Sequence, residues 1–470
     1  MARKKPELLL PASSLEVLRT AVNFGADAVY IGGEAFSLRA KAKNFSLPEM
    51  AEGIAYAHAH GVKVYVTANI LAHDEDLDEA AAYFEALRDL RAACGRTGAA
   101  AASGEKAGMG QGDGNRAAAE VAAAAADGVT ASGMSGEETG QQVIRPDALL
   151  IADPGMFELA GRACPEIERH ISTQANNVNA GTFRFWHRLG AARVVCGREL
   201  SLREIKRIRA QIPEELEIEA FVHGAMCISY SGRCLLSNFL AGRDANRGAC
   251  AHPCRWKYSV VEETRPGEYL PVFENERGTF IFNSKDLCMI DHLPDLIDAG
   301  IDSLKIEGRM KTALYVATVA RAYRKAIDDY CEDPVRYEAN LTWYRQQVMS
   351  GTYRNFTTGF FYGKPTEESQ IYDSNTYEKT SVYLGCVEAL EPQGGRVYVC
   401  LTQKNKFSVG ETIEIMRPDG EDRACRVLAI LDEEGHAQES APHPQQALRV
   451  LLSAEACVGD LLRRPADAVR

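Results

Sequence analysis

Four cysteines offer the chain's clearest chemistry. Cys227, Cys234, Cys250 and Cys254 follow one another as C-x6-C-x15-C-x3-C within one glycine-rich stretch. Thiolates that converge on one inorganic centre need irregular backbone, because helices and strands hold neighbouring side chains apart too rigidly. Gly224, Gly232, Gly242 and Gly248 supply that freedom. Ligation by four thiolates suits a [4Fe–4S] cluster or a structural zinc ion. Spacing alone does not separate the two, although structural zinc usually uses two tight C-x2–4-C pairs and only Cys250/Cys254 is one. Buried free cysteines are the plain alternative. Cys288 is a reserve ligand, but its place at the start of an apolar segment suits a core residue better.

Other reactive groups stand at the ends of short β-branched runs. Lys305 lies in Ser303–Ile306, and Glu307 and Arg309 follow it; Arg309 could take a dicarboxylate through two N–H bonds. A Glu–Arg ion pair closing the fold is the bland reading of the same residues. His223, four residues before the first cysteine, could move protons or hydrogen-bond a cluster sulfur, or be a satisfied structural histidine. Thr173, Gln174, Asn176 and Asn69 could read a base edge or hold a cofactor, and could equally cap turns. Asp153, just before Pro154, is as well explained as a helix cap. Arg243, Arg247, Arg255, Trp256, Lys257 and Tyr258 surround the cysteines; cations neutralise phosphate and aromatic rings stack on unpaired bases. Solvated charges over core aromatics are the alternative.

These residues need a scaffold, and the pattern of the chain predicts one. Apolar runs at Leu8–Leu10, Ala28–Ile31, Val62–Asn69, Ala148–Ala152, Arg169–Gln174, Ala192–Cys196, Glu217–Val222 and Ser303–Ile306 read as strands. Helical segments follow all but the seventh quickly. Alternation of this kind implies a parallel sheet, and eight units fit a closed (β/α)8 TIM-like barrel better than an open doubly wound sheet. No Gly-x-Gly-x-x-Gly follows the first strand. In such barrels the chemistry lies at the carboxyl ends of the strands. The expected division is a barrel catalytic domain over residues 1–330, a linker over 331–379 with a short helix at Leu341–Met349, and a small C-terminal β-barrel over 380–470.

Two insertions interrupt the barrel pattern. Residues 95–142 are mostly Ala, Gly, Ser, Glu and Gln, cannot bury enough apolar area to offset ordering entropy, and are expected to be disordered on the barrel's amino-terminal side. Residues 224–287 follow the seventh strand, so this cysteine-bearing insertion is expected over the catalytic mouth.

Composition narrows the function. The 470 residues carry a net charge of −12, which disfavours general nucleic-acid binding and requires any RNA substrate to meet a local basic patch. Thirteen cysteines, an odd number, argue against a complete disulfide framework and for metal or catalysis in a reducing compartment. No apolar run approaches the roughly 20 residues of a membrane span, and Leu8–Leu10 is too short for a signal-peptide core, so a cytoplasmic location is expected.

The stretch Glu219-Ala-Phe-Val-His-Gly-Ala-Met-Cys227-Ile-Ser-Tyr-Ser-Gly-Arg-Cys234-Leu-Leu-Ser237 resembles the signature of peptidase family U32. Leu8-Leu-Leu-Pro-Ala12, Gly25–Gly33, Ser172-Thr-Gln-Ala175, Ser303–Arg309 and the C-terminal β-domain resemble that family's recurring blocks. The block Asn246–Tyr258 is similar to the cysteine block of its tRNA-modifying branch. The resemblance implies that Cys227, Cys234, Cys250 and Cys254 hold a [4Fe–4S] cluster. It implies hydroxylation of the wobble uridine of tRNA at its 5-position, with prephenate, a small dicarboxylate, as co-substrate. Hydroxylation of another RNA base is a second implied activity. The peptidase reading in the family's name needs a nucleophile beside a base, and His223 with Cys227 is the only close pair. A cluster- or zinc-stabilised scaffold that binds RNA without turnover is the non-catalytic alternative.

Overall fold

The computed structural model describes residues 4–37, 44–93, 141–226, 231, 234, 236–243, 245–247, 249–253, 274–275, 278–279, 285–353, 355–363 and 378–466. Eight parallel strands form its centre: β1 (Glu7–Pro11), β2 (Ala28–Gly32), β3 (Lys63–Ala68), β4 (Ala148–Ile151), β5 (Glu168–Ile171), β6 (Arg193–Val195), β7 (Glu217–Ala225) and β8 (Ser303–Ile306). Neighbours pair in sequence order, and β8 pairs with both β7 and β1, so the sheet closes into the expected barrel. Strands covered on both faces read as continuous apolar runs, and Leu8, Leu9, Leu10, Val29, Ile31, Val64 and Val66 are all fully buried.

Among the described residues, eight helices wrap the barrel: α1 (Leu15–Asn23), α2 (Leu47–Ala59), α3 (Leu77–Arg88), α4 (Pro154–Ala163), α5 (Ala180–Arg188), α6 (Leu202–Arg209), α7 (Leu293–Asp298) and α8 (Ala313–Glu332). Their starts follow local chemistry. Ser46 with Glu49 and Ser201 with Glu204 close capping boxes on α2 and α6. Asp153 accepts from Met156 N at 3.0 Å and Pro154 begins α4, so Asp153 is the helix cap that its sequence context allowed.

Three elements differ from expectation. The helical segment that follows the seventh strand only after the long insertion is a single turn, Ile290–His292, and then the short α7. The segment after the barrel contains a longer helix than the expected Leu341–Met349 piece: α9 spans Pro334–Met349. Asp333 ends α8 in an extended conformation and caps α9 through Val335 N at 3.0 Å, so the Asp-Pro pair restarts a helix rather than opening an irregular linker. Strand β7 also runs on to Ala225, where Asp286–Cys288 pairs with it antiparallel and Phe356–Thr357 pairs in turn with Asp286–Cys288.

The Ala/Gly-rich insertion lies outside the described residues except at its stem, where Arg91–Ala93 pairs antiparallel with Gln141–Val143. From Ser381 the chain is antiparallel: β9 (Ser381–Cys386), β10 (Ala389–Gln393), β11 (Arg396–Thr402), β12 (Thr412–Met416), β13 (Arg423–Leu431), β14 (Ala447–Leu452) and β15 (Leu461–Pro465), in the order β9-β15-β12-β13-β14-β11-β10. A Cβ on Gly385 of β9 would lie 2.9 Å from Leu401 and 3.0 Å from the Thr402 carbonyl of β11, so the sheet rolls around its own core of Leu384, Leu401, Ile413, Val427 and Val450. This unit docks on α1 and α8. Glu16 accepts from Tyr383 Oη at 2.6 Å and Lys404 Nζ at 2.8 Å, and Arg321 of α8 meets Asp422, which also holds Arg463 at 2.9 Å.

Candidate active site at the carboxyl end of the barrel

The cysteine-bearing insertion is tied across the barrel mouth at two places. On one side, Ser231 N and Oγ donate to Glu199 at 2.9 and 3.1 Å, and Thr173 Oγ1 lies 3.5 Å from Ser231 Oγ. Glu199 and Thr173 follow the carboxyl ends of β6 and β5. On the other side, Arg247 pairs with Asp76 at 3.1 Å and Leu71 N donates to Asn246 O at 3.2 Å, both on the loop after β3. Within the insertion, Asn246 Nδ2 donates to Cys234 O, Arg243 Nη2 to Cys250 O and Ala251 N to Ser237 Oγ. The backbones of Cys234 and Cys250 are thus each tied into the insertion, and both thiols are half-buried and free of disulfides. His252 N points at Cys250 Sγ from 3.4 Å, the kind of N–H contact that steadies a thiolate.

Those two thiols fit a soft metal centre by donor type and access. Cys227, Cys254, Arg255, Trp256, Lys257 and Tyr258 lie outside the described residues. Arg243 and Arg247 belong to the proposed basic patch, yet each holds the insertion together or onto the barrel. Cys288 is different: burial pushes its thiol up to about 12, so it stays protonated and suits the core.

The charged residues of β8 divide by depth. Lys305 Nζ is buried 2.8 Å from Glu219 Oε1 and 4.4 Å from the Tyr30 ring centroid. Below it, Arg193 pairs with Glu7 at 2.5 Å, Glu217 at 2.6 Å and Glu219 at 3.2 Å. Burial alone would raise the Glu7 carboxyl, but Arg193 and the hydroxyls of Tyr65 and Ser303 hold it at about 2. Sequence reasoning missed this network, because its members are scattered over β1, β6 and β7. Lys305 belongs to it and so lies within the barrel's polar interior.

Arg309 is also buried, at the mouth. Its guanidinium donates to Ser37 Oγ, Thr67 Oγ1 and Asn44 Oδ1. It presses on Gly32, where a Cβ would lie 1.7 Å from Nη2, so the close approach requires glycine. The guanidinium is thus directed to β3 and the loop after β2, not to a closing pair with Glu307. Glu307 Oε2 is 3.8 Å from Arg198 Nη2, both groups being partly exposed. Arg198, which sequence reasoning did not single out, is the cation beside Glu307. Its place just past β6 is the signal that could have found it.

His223 turns away from the mouth. A register shift between β7 and β8 precedes it, and its ring packs against Tyr315 and Tyr323 of α8 and Phe356. Burial depresses its pKa to about 4, so it is neutral near pH 7. These surroundings suit a satisfied structural histidine, although it pairs in register with Cys288.

The loop after β5 carries the remaining candidates. Thr173 Oγ1 donates to Cys196 O at 2.8 Å, Gln174 N donates to Ser172 Oγ, and Asn69 Nδ2 reaches Ser172 Oγ at 3.5 Å. Asn176 adopts a left-handed conformation (φ +61°) that ends the turn, and its buried Oδ1 has no hydrogen-bond partner among the described residues. The structure therefore brings Asn69, Thr173, Gln174 and Asn176 to one side of the mouth, under Ser231.

Known proteins resemble the chain over most of its length. Peptidase family U32 matches residues 13–96 and 139–371, and the peptidase family U32 C-terminal domain matches 379–463. A Bacillus subtilis protein named tRNA hydroxylation protein P1 is 36% identical over 461 residues, spanning 98% of this chain and 95% of its own. The Escherichia coli tRNA hydroxylation protein P is 36% identical over 461 residues, spanning 88% of this chain and 87% of its own. An Escherichia coli 23S rRNA 5-hydroxycytidine synthase is 33% identical over 327 residues, covering 70% of this chain and 40% of its own.

Proposed function

This chain belongs to peptidase family U32, and from that premise we propose that it is an RNA-modifying enzyme that hydroxylates the wobble uridine of tRNA at the 5-position, with a [4Fe–4S] cluster on Cys227, Cys234, Cys250 and Cys254 and prephenate as hydroxyl donor. The carrying observation is the insertion tied to the loops at the barrel's carboxyl end by Glu199–Ser231 and Asp76–Arg247, with Cys234 and Cys250 on the tied segment. The names of the relatives support an RNA substrate and a hydroxylation. The name of the ribosomal RNA relative favours one second reading, hydroxylation of a cytidine.

Bound there, the cluster would assist oxygen transfer to the base. The chain's own residues do the rest. Asn69, Thr173, Gln174 and Asn176 line the side of the mouth where an extruded base edge would meet uncharged amides and hydroxyls. Glu307, at the end of β8, is the group placed to hold or release a proton. Arg309 is a fixed positive charge that braces the loop after β2 against β3. A peptidase would need an activated nucleophile, whereas the hydroxyl that His223 Nδ1 reaches is Tyr323 Oη at 3.5 Å, whose pKa burial raises well above the ordinary tyrosine value.

Mass spectrometry of tRNA nucleosides from a strain lacking the gene tests the reading. Loss of 5-hydroxylated uridine, restored by the wild-type protein and not by Cys234→Ala, is expected. Full modification by a colourless, iron-free protein overturns it.

A further inference from the structure

We propose that the outer faces of α5 and α6 hold the phosphate backbone of the RNA substrate, beside the mouth where its base would enter. The inference rests on the proposed function, in which the substrate is an RNA.

Charge is the first observation. The chain carries −12 overall, yet residues 179–211, which hold both helices, contain eight lysines and arginines against two glutamates. Arg193 is bound in the barrel's interior and Arg209 to Asp302. Arg188 of α5 and Arg203, Lys206 and Arg207 of α6 are exposed, and none of the four has a carboxylate within ion-pair reach among the described residues. Glu204, the acid on α6, accepts instead from Ser201 N and Oγ at 2.8 and 2.6 Å. Cations on other helices behave differently. Arg19 of α1 meets Glu52, Arg162 of α4 meets Glu158, and Arg336 and Arg345 of α9 meet Glu332 and Asp291. A face that leaves its cations without carboxylates projects a positive field, and on a chain of negative total that field gathers anions locally. Arg243 and Arg247 of the cysteine-bearing insertion are bound to Cys250 O and Asp76, so they do not supply such a face.

Placement is the second observation. β5 and β6 pair as neighbours, so α5 and α6 lie side by side, and Arg184 of α5 donates to Gln211 O beyond α6 at 3.0 Å. α5 begins just after the Thr173–Asn176 turn, and α6 just after Glu199, which holds Ser231. Both helices therefore start at the mouth and run down the barrel's flank. Eight residues of α6 extend about 12 Å, with Arg203 nearest the mouth and Arg207 one turn below. Glu214 and Glu215, past the end of α6, bound the face, and Glu215 is 3.6 Å from His187. The chemistry suits RNA better than an anionic membrane. Leu202, Ile205 and Ile208 pack the apolar side of α6 inward, so α6 has no apolar face to lay into lipid. Phe185, 45% exposed between Arg184 and Arg188 in the sequence, adds a ring on which an unpaired base can rest.

Binding of the cluster-loaded full-length protein to bulk tRNA from a strain lacking the gene, measured over a range of salt concentrations, tests this. The triple variant Arg203→Gln, Lys206→Gln, Arg207→Gln should bind roughly 10- to 100-fold more weakly at low salt, and the slope of log K against log salt should shrink in magnitude by about 2–3. KM for tRNA should rise with it. A second triple, Arg162→Gln, Arg336→Gln, Arg345→Gln, removes the same charge from other helices and should bind as wild type does. Circular dichroism and iron content identify a variant that has not folded, and Lys206→Gln alone, with a slope smaller by about 1, then carries the test. Wild-type affinity and slope in the first triple overturn this inference and leave the proposed function standing. Equal weakening in the two triples also overturns it, because net charge and not a surface would then be acting. Loss of binding to phosphatidylglycerol vesicles with tRNA binding intact overturns it in favour of a membrane. Wild type that neither binds nor modifies the tRNA overturns the proposed function and this inference with it.

Discussion

Gly224 lies directly against the main-chain carbonyl of Glu307: a Cβ at Gly224, whose φ is +106°, would fall 2.3 Å from that oxygen. The residue that opens the cysteine-bearing insertion is therefore locked to the residue that ends β8. Glu307 N also donates to His223 O at 2.8 Å, and Tyr315 Oη donates to Glu307 O at 3.0 Å.

Gly224→Ala should thus cost both stability and function. Left-handed strain and a backbone clash together should destabilise the fold by about 1–3 kcal/mol. Iron content per protein should fall as the insertion shifts. Thermal unfolding together with iron analysis checks this; an alanine variant with wild-type melting temperature and full iron would show that the contact is not binding the two segments.

Much of the scaffold could be read from residue order alone. Leu8–Leu10 and the Val-Tyr-Val run at residues 64–66 are fully covered strands, and continuous apolar character is what such strands require. Ser46, Asp153 and Ser201 start their helices through side-chain bonds that are local in sequence. The site was harder wherever distant residues decide the outcome. Period-two alternation groups His223 with Glu219 and Phe221, but the register shift against β8 turns its ring to α8. Arg309 beside Glu307 suggested a pair, whereas the guanidinium reaches Ser37 on the loop after β2 and Thr67 on β3. Glu7, Arg193 and Glu219 meet only once the barrel closes.

Removal of individual thiols should separate ligands from core cysteines. Cys234→Ala and Cys250→Ala should each abolish the iron–sulfur absorption and the bound iron. Cys288→Ala should retain both, since its thiol is held protonated near about 12 in the core, and should cost only the packing of a small buried group. Iron quantification and visible spectra of the three purified variants decide it; iron loss in Cys288→Ala alone would make that residue the ligand.

Arg193 is the hub of the barrel's lower interior. Arg193→Ala leaves Glu7 buried without its cation and Glu219 with Lys305 alone, a change worth about 3–5 kcal/mol against the fold. Because Arg193 holds the Glu7 carboxyl at about 2, below its ordinary 4.5, that carboxyl's stabilisation is present above pH 4.5 and is lost as pH falls toward 2. Urea denaturation of wild type and variant at neutral and acidic pH should show a gap that narrows in acid. A gap that is constant or widens would mean that the pair does not stabilise the closed barrel.

His223 supplies a second pH dependence of distinct position. Its pKa is depressed from an ordinary 6.5 to about 4, because burial among Tyr315, Tyr323 and Phe356 disfavours the imidazolium. The unfolded chain therefore binds a proton between those values while the folded chain does not. Stability from the neutral ring is complete above pH 6.5 and declines as pH falls to about 4, by roughly 3 kcal/mol across the window. His223→Gln removes the titrating group, so the wild-type minus variant difference in unfolding free energy should fall with acidification over this range and be flat above it. A difference that is independent of pH from 7 to 4 would place the histidine in contact with solvent or with a compensating carboxylate, and would return it to the list of groups able to exchange protons during the reaction.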